Sequence, residues 1–157
     1  MKKESFAKKM AEYRRILKND FDWDYEFILE LLRHKLTRTR KCIASSKTSS
    51  AVRVQRIGRQ IQRVEDLLNR FLENPYHAEV FKNFHKKYGK LKMVTLPHKK
   101  GTLGIPITMR YQKETPQNSR AIHREATRLY KKADRMRNGD LKKAFDLMSK
   151  NMQGWWD

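Results

Sequence analysis

The sequence predicts a mainly α-helical fold, a small bundle of three to five helices with a β-hairpin or an extended basic arm, and three observations carry that prediction. Apolar residues recur three and four positions apart over most of the 157 residues, most regularly over residues 51–72. Pro75, Gly89, Pro116 and the Ser/Thr cluster at residues 45–50 fall between those periodic stretches, where helices begin and end. One window, residues 91–112, exchanges helical spacing for β-branched residues and holds Pro97, Gly101, Gly104 and Pro106. Hydrophobic residues are only 38% of the chain, but they are patterned and include three Trp, six Tyr and seven Phe, which argues against wholesale disorder. The expected organisation is a basic N-terminal segment over residues 1–20 and a single helical domain over 21–157, with a basic arm at about 90–113.

A first helix is expected over residues 3–18, with Phe6, Met10, Tyr13 and Leu17 along one stripe and enough lysines to make it dependent on a partner. Asp22 or Asp24 caps a second helix, and the acids there complement the positive end of its dipole. That helix should reach about Ser45, placing Ile28, Leu31, Leu32, Leu36, Cys42 and Ile43 on its apolar face and Arg33 and Arg40 opposite. The Ser/Thr cluster breaks the pattern and caps a third helix, in which Val54, Ile57, Ile61, Val64, Leu68 and Phe71 share one arc. Asn74-Pro75 ends it, and Pro75 starts a fourth helix through Tyr76, Val80, Phe81 and Phe84 that Gly89 stops. Residues 93–96 and 105–109 read as two strands with a basic tip, His98-Lys99-Lys100-Gly101, the second strand being irregular or at an edge because of Pro106. Thr115-Pro116 opens a helix of about 117–137, Asn138-Gly139 closes it, and Asp140 caps a last short helix carrying Leu141, Phe145, Leu147, Met148 and Met152.

Charge sets the functional expectation. Residues 31–64 carry ten Lys or Arg and no acid, and residues 80–113 carry nine more, again with no acid. A formal charge of +20 repels itself in a folded chain and is neutralised by a polyanion or an acidic surface. In the third helix Arg56, Arg59, Arg63 and Arg70 lie within about 60° of one another, opposite the apolar arc, with Arg53 one turn earlier. Guanidinium groups so placed match successive phosphates with paired donors. In the fourth helix Lys82, Lys86, Lys87 and Lys90 alternate with Phe81, Phe84 and Tyr88, a pattern that can stack unpaired bases and hold their backbone, although Phe81 and Phe84 also fit a core. Lys99, Lys100 and Arg110 on the arm complete the candidate nucleic-acid-binding set. Trp155 and Trp156 are read either as a latch folded onto the core, with Trp23, or as protein-docking residues.

Enzyme signatures are weak. Glu26, Glu30 and His34 share a helix face, but no second ligand motif accompanies them, so no metal, cofactor or catalytic residue is assigned. Cys42 is the single cysteine, which excludes an intrachain disulfide and a cysteine-rich zinc site and fits a reducing compartment. Gly101 and Gly104 lack the Lys-Ser or Lys-Thr that a phosphate-cradling loop would place after them. No secretory signal or membrane span is expected, and the expected location is the cytoplasm.

Asp22-Trp23-Asp24-Tyr25, Leu31-Leu32-Arg33-His34-Lys35-Leu36, Lys87-Tyr88-Gly89, and Phe145-Asp146-Leu147-Met148 with the closing Trp155-Trp156-Asp157 together resemble a group of small uncharacterised bacteriophage proteins. In that group the middle and the penultimate helix tend to be more acidic than here. The resemblance implies no binding or catalytic residue. Three functions are thus expected, in descending order. The first is non-catalytic nucleic-acid binding, RNA ahead of DNA. The second is a phage-type interaction or inhibitor protein docking on a host nucleoprotein complex such as a ribosome, a polymerase or a CRISPR effector. The third is a metal-dependent nuclease using Asp22, Asp24 and His85.

Overall fold

The computed structural model describes residues 5–18, 25–45, 50–96 and 107–155. Among the described residues five helices and one antiparallel hairpin follow in chain order: α1 (Phe6–Leu17), α2 (Glu26–Ala44), α3 (Ala51–Glu73), α4 (Tyr76–Tyr88), β1 (Leu91–Thr95), β2 (Ile107–Tyr111) and α5 (Ser119–Asn151). The fold is mainly helical with a two-stranded hairpin, as the sequence predicts. Two compact units divide the chain, one formed by Met1–Asn74 with Arg137–Asp157 and the other by Pro75–Met136.

In the first unit α2 packs chiefly on α3 and also against α1. Leu29 and Leu36 of α2 meet Ile57, Ile61, Val64, Leu68 and Phe71 of α3, and Ala144, Met148 and Trp155 close the cluster. The Ser50 hydroxyl accepts from the Arg53 N–H at the start of α3, and Asn74 ends it in the left-handed region at φ 47°. Trp155 lies in a single 3₁₀ turn, Gln153–Trp155, and its indole N–H donates to Oε1 of Gln60 at 3.1 Å. It is a core residue rather than an exposed docking residue, as the latch reading requires.

Two expected helix faces are rotated from their predicted positions. On α1 Phe6 and Leu17 of the expected stripe are exposed, Met10 and Tyr13 are half-buried, and the residue fully buried is Ile16, outside that stripe. On α2 Ile28 and Cys42 are exposed, whereas Arg33 and Arg40 turn inward. The cause is polar pairing with the neighbouring helices. Arg33 donates to Oδ1 of Asn69 at 2.7 Å, Arg40 to Glu65 at 2.7 Å, and Arg38 to Glu12 of α1 at 2.8 Å.

The second unit is built on Phe81 and Phe84 of α4, Tyr111 at the end of β2, and Ile122 and Ala126 of α5, with Val80, Tyr88 and Leu129 against them. Gly89 stops α4 at φ 78°, where a Cβ would lie 2.5 Å from Gln112. The strands pair from Leu91↔Tyr111 to Thr95↔Ile107, so β1 begins earlier and β2 ends later than predicted. Glu114 fastens this hairpin to α5, accepting from the Tyr111 N–H at 2.9 Å and the Ser119 hydroxyl at 2.7 Å, with His123 at 3.0 Å. Burial raises the pKa of the Glu114 carboxyl, but these hydrogen bonds outweigh it and hold the pKa below the usual value.

The predicted break at Asn138-Gly139 is absent. The helix α5 runs unbroken from Ser119 to Asn151, so the two helices expected there are one. The local turn signal is overridden because Asp140 is buried, with Arg70 at 3.5 Å and Lys143 at 3.6 Å, and Ala144 and Met148 follow it into the core. No helix among the described residues is long and apolar enough to cross a membrane. The expected caps Asp22 and Asp24, Trp23, most of the Ser/Thr cluster, Gly101 and Pro106 lie outside the described residues.

Candidate functional site

Five buried apolar residues of α3 define which side of that helix faces the core, and its arginines follow from geometry. Taking Arg56 as the origin and 100° per residue, Ile57, Ile61, Val64, Leu68 and Phe71 lie at roughly 60° to 140°, and Arg59 and Arg63 at roughly −60° and −20°. Arg56, Arg59 and Arg63 are exposed, and among the described residues none of them pairs with a carboxylate. The two nearest acids, Glu65 and Asp66, pair with none of the three. Glu65 is buried at 3% exposure against Arg40, and Asp66 accepts from Gln62 at 2.8 Å. Arg53 falls nearer the apolar arc and is half-buried, while Arg70 reaches Asp140. Three of the five predicted arginines on this helix therefore form a face without carboxylate partners, Arg53 sits half-buried beside it, and Arg70 is paired with Asp140.

In the second unit Lys82 and Lys86 are exposed on one side of α4. Lys87 is taken up by Glu125 at 3.5 Å and lies 4.6 Å from the centre of the Tyr88 ring. Tyr88 also packs on Phe84 and donates its hydroxyl to Glu125 at 3.0 Å. The Tyr88 hydroxyl, with Glu125 beside it, holds the Lys87 ammonium above its ordinary pKa. Phe81 and Phe84 are core residues, so the aromatics interleaved with the basic residues serve packing. Lys90 is exposed at the foot of the hairpin. Lys99, Lys100 and Trp156 lie outside the described residues.

The hairpin has two unlike faces. Lys92 and Arg110 are partners across the strands, a like-charge pair that is unfavourable without an anion. On the other face Met93 pairs with Met109 and Thr95 with Ile107, and Met93, Met109 and Ile107 are all exposed.

A second basic face, on α5, was not predicted. Arg120, Arg124, Arg128, Lys131 and Arg135 follow one another at intervals of four, four, three and four, which places them within about 80° of arc. The buried Ile122, Ala126 and Ala133 lie on the opposite side. All five bases are exposed, and among the described residues none of them forms an ion pair. Arg124, Arg128, Lys131 and Arg135 line an open concavity together with Thr127 and Asp134. A search for acid-free runs misses this face because Glu125 and Asp134 interrupt it in sequence. The four-residue periodicity of the bases would have found it.

Glu26 of the Glu26, Glu30 and His34 group is held by Arg137, which also lies 4.3 Å from the centre of the Phe71 ring. His34 meets the edge of Tyr13 at 4.9 Å and has Glu12 at 3.5 Å. Burial lowers its pKa, opposed by Glu12 and reinforced by Arg38, Arg15 and Arg33. Among the described residues no group of three His, Cys, Asp or Glu side chains converges as a metal site would. Comparison with protein-family models, with curated proteins and with solved structures finds no match.

Proposed function

We propose that this protein binds nucleic acid without catalysing a reaction on it, through phosphate contacts made by arginine-rich helix faces. The observation that carries this reading is the face formed by Arg56, Arg59 and Arg63 on α3, exposed and without a carboxylate partner among the described residues. Guanidinium groups without an internal partner retain their full capacity for paired hydrogen bonds to phosphate oxygens. The expectation of RNA ahead of DNA drew on stacking aromatics, and those rings have core contacts, so the reading stands on charge and extends to RNA and DNA alike. The test is fluorescence anisotropy with labelled polynucleotides at low salt, comparing the protein with a variant carrying Arg56→Gln, Arg59→Gln and Arg63→Gln. Weaker binding by the variant, with unchanged circular dichroism, supports the reading; equal binding removes α3 from the interface.

A second reading is supported by the hairpin. Its exposed Met93, Ile107 and Met109 form an apolar face, with Lys92 and Arg110 on the other side, as suits a protein that grips a nucleoprotein complex through protein and nucleic acid together. Met93→Gln with Ile107→Thr separates the two, since it removes a protein contact and leaves polynucleotide affinity intact only under this second reading.

A further inference from the structure

We infer that the exposed face of α5 over Arg120, Arg124, Arg128, Lys131 and Arg135 docks on the phosphate backbone of a nucleic-acid duplex. The inference rests on the nucleic-acid reading above and assigns the form of the ligand and a second binding face. Residues 120–135 of one helix span about 22 Å at 1.5 Å per residue. A duplex of that length carries about 13 backbone charges at one per 1.7 Å. The five cations keep a fixed spacing because the helix holding them is continuous and its opposite side is anchored by Ile122, Ala126 and Ala133.

The class of ligand follows from what this face lacks. Proteins that hold single strands combine a basic track with aromatic platforms for the bases. No aromatic residue lies on this track. The nearest rings on the helix, His123 and Tyr130, are turned roughly 100° and 120° from its centre; His123 is held by Glu114 at 3.0 Å, and Tyr130 is engaged by Phe81 at 4.7 Å and His77 at 5.2 Å. Nor does the concavity contain an Asn or Gln that would read a base edge; its lining is Arg124, Thr127, Arg128, Lys131, Asp134 and Arg135. Donors without platforms suit a ligand whose phosphates are already held in place by base pairing, and they bind it without sequence preference. The carboxylate of Asp134 at the margin discourages closer approach on that side and sets the edge of the track.

The experiment measures binding of a short mixed-sequence duplex and of its separated strands across a salt series, using the intact protein and a variant carrying Arg120→Gln, Arg124→Gln and Arg128→Gln. A second variant with lysine at the same three positions keeps the charge, and circular dichroism verifies the helix content of both. The expected result is that the glutamine variant loses about 3 from the slope of log affinity against log salt for the duplex, at about 0.9 per lost phosphate contact. The lysine variant keeps the slope, and the single strands show the smaller change. A glutamine variant that binds the duplex like the parent protein, while Arg56→Gln, Arg59→Gln and Arg63→Gln together weaken binding, overturns the α5 assignment and leaves the broader function standing. Equal losses for duplex and single strands overturn the choice of duplex. Absence of polynucleotide binding by the parent protein at low salt overturns both readings.

Discussion

Gly89 shows how one residue joins two elements. At φ 78° and ψ 177° its backbone occupies a region closed to side chains, and a Cβ there would meet the Cβ and Oε1 of Gln112 at 2.5 Å. Gly89→Ala is expected to cost at least about 1–3 kcal/mol from the backbone alone, read as a lower denaturant midpoint. Glu65 makes the converse point, a charge tolerated inside because Arg40 reaches it. Replacing Arg40 with Met strips that partner and should destabilise by about 3 kcal/mol, the low end for a broken buried pair because Arg40 is still partly in water. Arg40→Met combined with Glu65→Leu should recover most of the loss in a double-mutant cycle. His34 gives the pH dependence. Its folded pKa lies below the ordinary 6.5, so below that pH the unfolded chain takes up the proton first. Its contribution is therefore complete above about pH 6.5 and is lost as the pH falls toward the folded pKa. Denaturant titrations through that window should show falling stability, with a shallower fall in His34→Gln.

Among the elements, α3 was the most legible in the sequence because the periodicity of its apolar residues is the periodicity of their burial. Val64, Leu68 and Phe71 had no competing role. The helix α2 was harder, since Arg33 and Arg40 look like solvent residues until Asn69 and Glu65 are placed beside them. Long-range polar pairing of that kind leaves no local trace. The Asn138-Gly139 pair misled for a related reason: a turn signal is a preference of about 1 kcal/mol, and the burial of Asp140, Ala144 and Met148 outweighs it. A Cβ at Gly139 would meet no atom within 4 Å. Gly139→Ala is accordingly expected to stabilise the protein by about 0.5–1 kcal/mol, seen as a raised denaturant midpoint at unchanged m-value. The candidate site was legible on α3 and missed on α5 because acids close in sequence are not always close on a helix. Glu125 points to Tyr88 and Lys87, leaving the arginines on the other side uncompensated.

For the whole molecule, charge is the dominant fact. With +20 on 157 residues, the folded chain is opposed by its own field, and surface pairs such as Lys142 with Asp146 offset little of it. Added salt screens that repulsion, with a Debye length of about 10 Å at 0.1 M. The melting temperature of the isolated protein should consequently rise with sodium chloride over the range in which its affinity for polynucleotides falls. The most direct test of the central claim is the affinity of the intact protein for a labelled duplex, measured from about 50 to 200 mM salt. A steep linear fall in log affinity with log salt, made shallower by Arg56→Gln, Arg59→Gln and Arg63→Gln together, is the predicted result. No binding at the lowest salt, or binding indifferent to salt and to those arginines, would contradict it.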